Sequence, residues 1–349
     1  IIDYSIPKTP HKSVYTNDIE LILSLIPNTS PLNPGMKNKI RNLVGILREE
    51  RPASLHLWQD TTNVLGAIAG LIAGVPRIVM SARSLPPFAL KESSFPDKGP
   101  NYYLNNRYVR VMYKQLLSRE NVFLCHNSEN GLEKYTEWLG GFDDKMLLLR
   151  NGFDFSTLET TTTTRTVKKK TIILGAVFRF VEVKRPLLWL EVASLVDKMM
   201  DDSIKFQMIG DGPMLETAIS FAKDLGISDL VDFSGYRDDV KDLLRSFDAF
   251  LLTSSIEGLP NVLIEAQSMG VPVISTNAGG AKETFLDTKT GLLVDSSDPN
   301  VIANAVCRVL RNRAYKDSAE KEGREFVFER FGIESMHRQL HHILFEESQ

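Results

Sequence analysis

Strand-like and helix-like segments alternate along almost the whole of this 349-residue chain, and no other feature constrains the fold as much. Ser54-Leu55-His56-Leu57-Trp58 reads as a short strand, and the apolar residues 63–74 read as a buried helix. Further strands are predicted at 77–81, 121–125 and 146–149. After an interruption the pattern resumes with strands at 171–174, 205–209, 230–233, 249–252 and 273–275. Such alternation favours α/β architecture, a parallel sheet covered by helices.

The interruption divides the chain. Asn151-Gly152 is turn chemistry, and the threonine run 160–164 and lysine run 168–170 are polar and of low complexity. A stretch of that kind reads as a solvated linker. The length allows two domains. The expected organisation is an N-terminal Rossmann-like domain over 1–155, a linker over 156–170, a second domain over 171–330, and a terminal helix within 331–349 crossing back to the first domain. Gly74-Val75-Pro76 and Gly270-Val271-Pro272 each end a helix pattern and start a strand pattern. Two similar doubly wound domains would give this echo, and so would ordinary helix-to-strand loops. Ligands of such sheets sit beyond the carboxyl ends of the strands, so a cleft between two facing domains is the default site.

Composition excludes several classes. A formal net charge of −3 gives no global attraction to nucleic acid. Cys125 and Cys307 are the only cysteines, too few for a disulfide framework or a metal cage, and a reducing cytoplasm is the expected setting. The longest apolar run, 64–75, is too short to span a bilayer. No signal peptide pattern is present, and Ile1 stands where an initiator Met would be, which leaves an upstream start open.

Two carboxylates stand out, Glu257 and Glu265, bracketing Gly258-Leu259-Pro260-Asn261-Val262-Leu263-Ile264. A strand precedes them and a helix pattern follows. Pro260 suits the first helical turn, so Glu257 is placed in a loop and Glu265 inside the helix. Backbone N–H groups at such a helix start favour an anion such as a phosphate. One carboxylate can then reach a sugar and the other a ribose.

Four motifs in order make the second half resemble the family 4 retaining glycosyltransferases, which have the GT-B fold. They are Gly175-Ala176-Val177-Phe178-Arg179 with Lys184-Arg185-Pro186, Gly210-Asp211-Gly212-Pro213, Phe233-Ser234-Gly235-Tyr236, and the Glu257 to Glu265 segment running on to Gly279-Gly280-Ala281-Lys282-Glu283. The match covers about 145–330 well and the N-terminal half loosely. The resemblance implies two Rossmann-like domains facing each other across a cleft. It implies Glu257, Arg179 and Lys184 as catalytic residues. It implies donor binding by Gly210, Asp211, Gly212, Tyr236, Gly258, Leu259, Pro260 and Glu265. Arg179 and Lys184 would hold the leaving diphosphate, with amides near Gly258 and Leu259 assisting. Glu265 would accept from ribose hydroxyls, and Glu257 would face the reacting carbon. Attack from the leaving-group side and a covalent double displacement both give retention.

No Asp-x-Asp metal motif occurs in the chain, so neither a metal nor any other cofactor is expected, the nucleotide sugar being a substrate. The N-terminal half departs from the family. Many members carry a His in a Thr-x-His segment at the donor sugar. Here Ser81-Ala82-Arg83-Ser84 occupies that stretch, and Arg83 stands where the His is expected. Arg cannot act as a base but can hold a phosphate or carboxylate. His56 and Trp58 are further candidates for the acceptor or sugar side, His56 being equally readable as a core histidine. His126-Asn127-Ser128 resembles the family's Asn-Ser at a strand end, with His126 read as structural. The family's N-terminal Gly-rich loop is not seen.

The stretch 86–113 interleaves cations with aromatics and reads as an acceptor loop, a membrane-facing patch or a solvated segment. The expected activity is transfer of a sugar from a nucleotide diphosphate donor, most simply a UDP-sugar, to a glycan or lipid-linked acceptor in bacterial surface or exopolysaccharide synthesis. The setting is cytoplasmic, with peripheral association at the inner membrane face left open. A non-catalytic nucleotide-sugar binding module, or another GT-B enzyme such as a sugar-nucleotide epimerase, remains an alternative. A dinucleotide-dependent oxidoreductase is disfavoured, because no Gly-x-Gly-x-x-Gly follows a strand.

Overall fold

The computed structural model describes residues 34–86, 106–156 and 171–345, with side chains in the middle stretch described from 109 onward. The Thr- and Lys-rich stretch and most of the 86–113 segment lie outside the described residues. The chain forms two compact units, residues 1–150 with 337–349, and residues 151–336.

In the first unit, helix α1 (Pro34–Glu50) leads into strand β1 (Ser54–Trp58), α2 (Asp60–Ala73), β2 (Arg77–Ala82), α3 (Asn106–Leu117), β3 (Val122–His126), α4 (Glu129–Leu139) and β4 (Met146–Leu148). The four strands pair in parallel in sequence order, β1-β2-β3-β4. Residues of α2, β2, α3 and β3 are buried together, including Ile68, Ile78, Met80, Tyr113 and Leu124. β3 is buried at every position, as expected for a strand covered on both faces.

The second unit runs β5 (Ile172–Val177), α5 (Pro186–Met199), β6 (Ile204–Ile209), α6 (Leu215–Asp224), β7 (Val231–Gly235), α7 (Val240–Arg245), β8 (Ala249–Leu252), α8 (Asn261–Ser268), β9 (Val273–Thr276), β10 (Gly291–Val294), α9 (Pro299–Arg311) and α10 (Arg313–Phe331). α11 (Ile333–Phe345) follows, and its residues from His337 on belong to the first unit. There Arg77 Nε donates to the Ile343 carbonyl. The sheet order β10-β9-β8-β5-β6-β7 is all parallel. Relative to its first strand, β5, this is the doubly wound order, whose direction reverses between β5 and β8. The ends of those two strands define the switch point, where such sheets bind ligands.

The helix-to-strand echo has a shared geometry. Gly74 and Gly270 take left-handed φ of 76° and 77°. Val75 N donates to Gly70 O and Val271 N to Ala266 O, the same bond after each helix. The predicted strand starts hold to within a residue. β5 runs three residues further than its pattern suggested and β7 two. α2 begins three residues before its apolar run, at Asp60. Pro260 stands at the position before α8, one residue earlier than the first helical turn expected of it.

The switch point is backed by Trp189 of α5. Its side chain is fully buried, and its indole N–H donates to Leu251 O of β8 at 3.1 Å. Trp189→Phe keeps most of the volume and strips that carbonyl of its side-chain donor. The expected loss is about 1–3 kcal/mol of unfolding free energy, read as a lower denaturant midpoint with an unchanged slope.

Candidate active site

The site is built on a turn and a loop at the β5/β8 switch point. The short 3₁₀ turn Glu182–Lys184 follows β5, and the loop 253–260 follows β8. Hydrogen bonds fasten one to the other. Ser255 N donates to Val183 O at 2.8 Å, and the Thr253 hydroxyl donates to Lys184 O at 3.0 Å. Lys184 Nζ and Glu257 Oε1 then form a direct ion pair. Their side chains are 23% and 11% exposed, so the pair is sheltered without being sealed from water.

Arg185 is the residue that sequence reasoning passed over. It takes a left-handed φ of 50°, a conformation that favours glycine. Its guanidinium donates to Thr253 O, Ser254 O (2.9 Å), Thr276 Oγ1 (3.1 Å) and Ser297 Oγ (2.6 Å). One side chain therefore braces the ends of β8 and β9 and the segment after β10. The signal in the sequence was a bulky cation at a position that favours glycine.

At the same, carboxyl-terminal end of the sheet is a cavity of about 490 Å³ lined by the ends of β5, β6 and β7, among them Arg179, Gly210, Asp211, Gly212 and Tyr236. Gly210 and Gly212 have φ of 134° and 152°, and the backbone of residues 178–180 presses against both. A Cβ on Gly210 would stand 2.0 Å from Phe178 O, and one on Gly212 2.6 Å from Phe180 O. Asp211 Oδ1 accepts from Gly212 N and closes the turn. Tyr236 is 79% exposed, an open aromatic face at the rim. Arg179 is exposed and makes no ion pair with a described residue. The structure thus joins Lys184 to Glu257 directly and leaves Arg179 on the cavity wall.

Glu265 lies in α8, where burial raises its carboxyl above the usual range and Lys241 opposes that shift. Gly258 and Leu259 lie in the turn before α8. The Leu259 side chain is an apolar anchor, packed with Phe155, Ile264, Val327 and Phe331, so only its backbone faces polar chemistry. Among the described residues no three His, Cys, Asp or Glu side chains converge as a metal site would need.

In the first unit, His56, Trp58, Ser81, Arg83 and Cys125 gather at the ends of β1, β2 and β3. Trp58 Nε1 donates to His56 Nδ1, and His56 Nε2 meets Ser81 Oγ at 2.6 Å. That arrangement puts the ring proton on Nε2, passes the bond on to Cys125 Sγ, and occupies both nitrogens of His56. Burial, then the Arg83 charge, lowers His56 to about 4. His126 is also lowered to about 4, chiefly by burial, while its contacts with Ser84 and Ser128 oppose the shift. Burial pushes the Cys125 thiol up to about 11, so it is not a nucleophile at neutral pH. The Arg83 guanidinium lies 4.0 Å from the Trp58 ring centroid.

Residues 160–326 match the family model for glycosyl transferases group 1. The chain is 31% identical over 337 residues to the Vi polysaccharide biosynthesis protein VipC/TviE of Salmonella typhi, a match covering 93% of this chain and 55% of that relative. The chain thus spans little more than half of that relative's length. It is 25% identical over 287 residues to the UDP-Gal:alpha-D-GlcNAc-diphosphoundecaprenol alpha-1,3-galactosyltransferase of Escherichia coli, covering 78% of this chain and 70% of the relative. Among solved structures, Anabaena HepE in complex with UDP superimposes with a TM-score of 0.70 at 18% identity, covering 88% of this chain and 83% of that one. Residues 160–326 are therefore similar to group 1 glycosyl transferases, and the solved neighbour shares the GT-B fold of two parallel-sheet domains.

Two outcomes follow from this geometry. Gly210→Ala forces a Cβ onto a backbone oxygen, with an expected cost on the order of 1–3 kcal/mol and a narrowed cavity, read by denaturant unfolding together with UDP titration. The two lowered histidines act on stability as follows. The unfolded chain takes up their protons near pH 6.5 and the folded chain only near pH 4. Their contribution is therefore complete above about pH 6.5 and falls as the pH drops towards 4. His56→Gln should flatten the urea midpoint against pH across that window.

Proposed function

We propose that this protein is a metal-independent, retaining hexosyltransferase. It moves a sugar from a UDP-sugar to a glycan or lipid-linked acceptor during assembly of a bacterial surface or exopolysaccharide. The observation that carries this reading is the Lys184–Glu257 ion pair at the switch point, at the same end of the sheet as the cavity walled by Gly210 and Gly212. It unites a cation for a leaving diphosphate with a carboxylate for sugar hydroxyls in one sheltered place. The activities for which the relatives are named, Vi polysaccharide biosynthesis and transfer from UDP-Gal to a GlcNAc-diphosphoundecaprenol acceptor, support the same substrate classes.

In this reading the cavity takes the nucleotide, with Tyr236 against the base and Glu265 on the ribose hydroxyls. Lys184 and Arg179 meet the diphosphate, and amides of Gly258 and Leu259 in the turn at Pro260 assist. The diphosphate competes with Glu257 for Lys184, which releases the Glu257 carboxylate to the donor sugar. The acceptor hydroxyl forms its bond to the anomeric carbon on the leaving-group side as the bond to the diphosphate oxygen breaks. The hydroxyl proton passes to that oxygen. Arg185 acts through others, as a positioning residue for both loops. In this reading the enzyme works in the cytoplasm, where a lipid-linked acceptor would bring it to the inner face of a membrane. Among the described residues no helix is long and apolar enough to cross a membrane.

Glu257→Ala should lower transfer on the order of 10²- to 10³-fold or more while the protein still folds and binds UDP. Near-wild-type turnover in a UDP-release assay would remove Glu257 from the mechanism. Activity should persist in excess EDTA, and a complete loss restored by divalent metal would overturn the metal-free reading.

A further inference from the structure

We infer that the junction between α9 and α10 forms a binding site for a phosphate-bearing ligand, held by Arg308, Arg311 and Arg313. The site is separate from the candidate active site and does not rest on the glycosyltransferase reading.

The junction borders a cavity of about 540 Å³ lined by Asn304, Cys307, Arg308, Arg311, Asn312 and Arg313. Arg311 donates to the Met199 carbonyl at the end of α5, and Lys316 of α10 pairs with Asp248, the residue just before β8. Those contacts set the junction at the amino ends of the parallel strands. Lys184 and Glu257 follow the carboxyl ends of β5 and β8, at the other end of the same sheet.

Three guanidiniums line this one cavity, on a chain whose formal net charge is −3. Two of them have an ordinary local reason. Arg308 and Arg311 stand in the last turn of α9, where the helix dipole favours cations. Arg313 has the opposite setting. It is the first residue of α10, whose first turn holds no acid, so its charge opposes the dipole. Departures from local preference of this kind concentrate at functional sites.

The acids nearby leave most of the charge in place. Asp317 reaches Arg313 at 3.9 Å, but both side chains are largely exposed and such a pair contributes little. Asp201 and Asp202, shortly after Met199, are exposed and form no ion pair with a described residue. Asp287 accepts from Leu293 N at 2.8 Å. Arg308 makes no hydrogen bond or ion pair with a described residue, and its charge acts on the Tyr315 hydroxyl. That hydroxyl is buried without a hydrogen-bond partner among the described residues, a state in which a donor gains from an acceptor.

The chemistry selects phosphate. A phosphate monoester carries about −1.5 to −2 charge and three acceptor oxygens, which matches several guanidiniums where a carboxylate matches one fork. The volume falls within the range of small-molecule sites, roughly 300–1,000 Å³, so the phosphate arrives on an organic group. Asn304 donates to Asn300 O and Asn312 Oδ1 accepts from Tyr315 N, which leaves one amide oxygen and one amide NH₂ for that group's hydroxyls. A soluble phosphate ester and a lipid headgroup share this chemistry.

The test uses the full chain with UDP at saturation, so that the candidate active site is filled. Calorimetry follows sn-glycerol 3-phosphate at about 0.15 M salt, where diffuse attraction is screened. Arg308→Gln and Arg313→Gln should each weaken binding about tenfold or more, the range of a hydrogen bond to a charged group. Arg308→Lys should keep part of the affinity. UDP affinity and the ligand-free thermal midpoint should stay near wild type in all three. A second arm sediments the protein with vesicles of phosphatidylglycerol or of phosphatidylcholine. Arginine-dependent binding of the free ester assigns a soluble ligand, and arginine-dependent binding confined to phosphatidylglycerol vesicles assigns a lipid headgroup. Absence of both overturns the site, as does binding that survives both glutamine substitutions or that appears only when UDP is left out. If UDP itself fails to bind, the glycosyltransferase reading fails alone, and the dependence of the two arms on Arg308 and Arg313 still decides this site.

Discussion

The candidate site depends on one fastening, the clamp between the turn after β5 and the loop after β8. Without it, Lys184 and Glu257 would be two side chains on separate loops. With it, Thr253, Ser255 and Arg185 fix both backbones, and the ion pair forms at little further entropic cost. A partly sheltered pair of this kind adds little to stability, because desolvation offsets much of the attraction. Its value lies in exchange. In the proposed reaction a more highly charged anion arriving at Lys184 would replace one partner with another and free a carboxylate at the same moment.

The rest of the second unit serves that fastening. The reversal of strand order between β5 and β8 opens the sheet where the clamp sits. Trp189 backs β8 from the helix layer, and the pair of glycines after β6 lets the backbone of 178–180 close the cavity wall. The first unit uses the same parallel plan to another end. Its strand ends carry two histidines whose pKa burial lowers and an arginine that lies over an indole.

Much of this was legible in the sequence. The alternation gave a strand at nearly every position where one is found, and the Glu257 to Glu265 spacing placed one carboxylate in a loop and the other in α8. Other elements were not legible. β10 was missed because Gly291-Leu292-Leu293-Val294 is short and follows a polar turn, so it lacks a pattern of its own. The bracing role of Arg185 was not legible, because its hydrogen-bond partners come from positions 68 to 112 residues away. His56 was ambiguous because strand alternation fixes a face and not a hydrogen-bond partner.

The sequence by itself determined the α/β class, the break between its halves, and the identity and local setting of the two carboxylates. Those follow from periodicity and turn chemistry, which act over a few residues. Only the tertiary structure decided that Lys184 meets Glu257 directly while Arg179 stays on the cavity wall, and that Arg83 lies on Trp58. Those contacts join residues 73 and 25 positions apart, and such pairings are set by how strand ends converge in a parallel sheet. Local pattern places a charged group on an element, and packing chooses the charge or ring it faces.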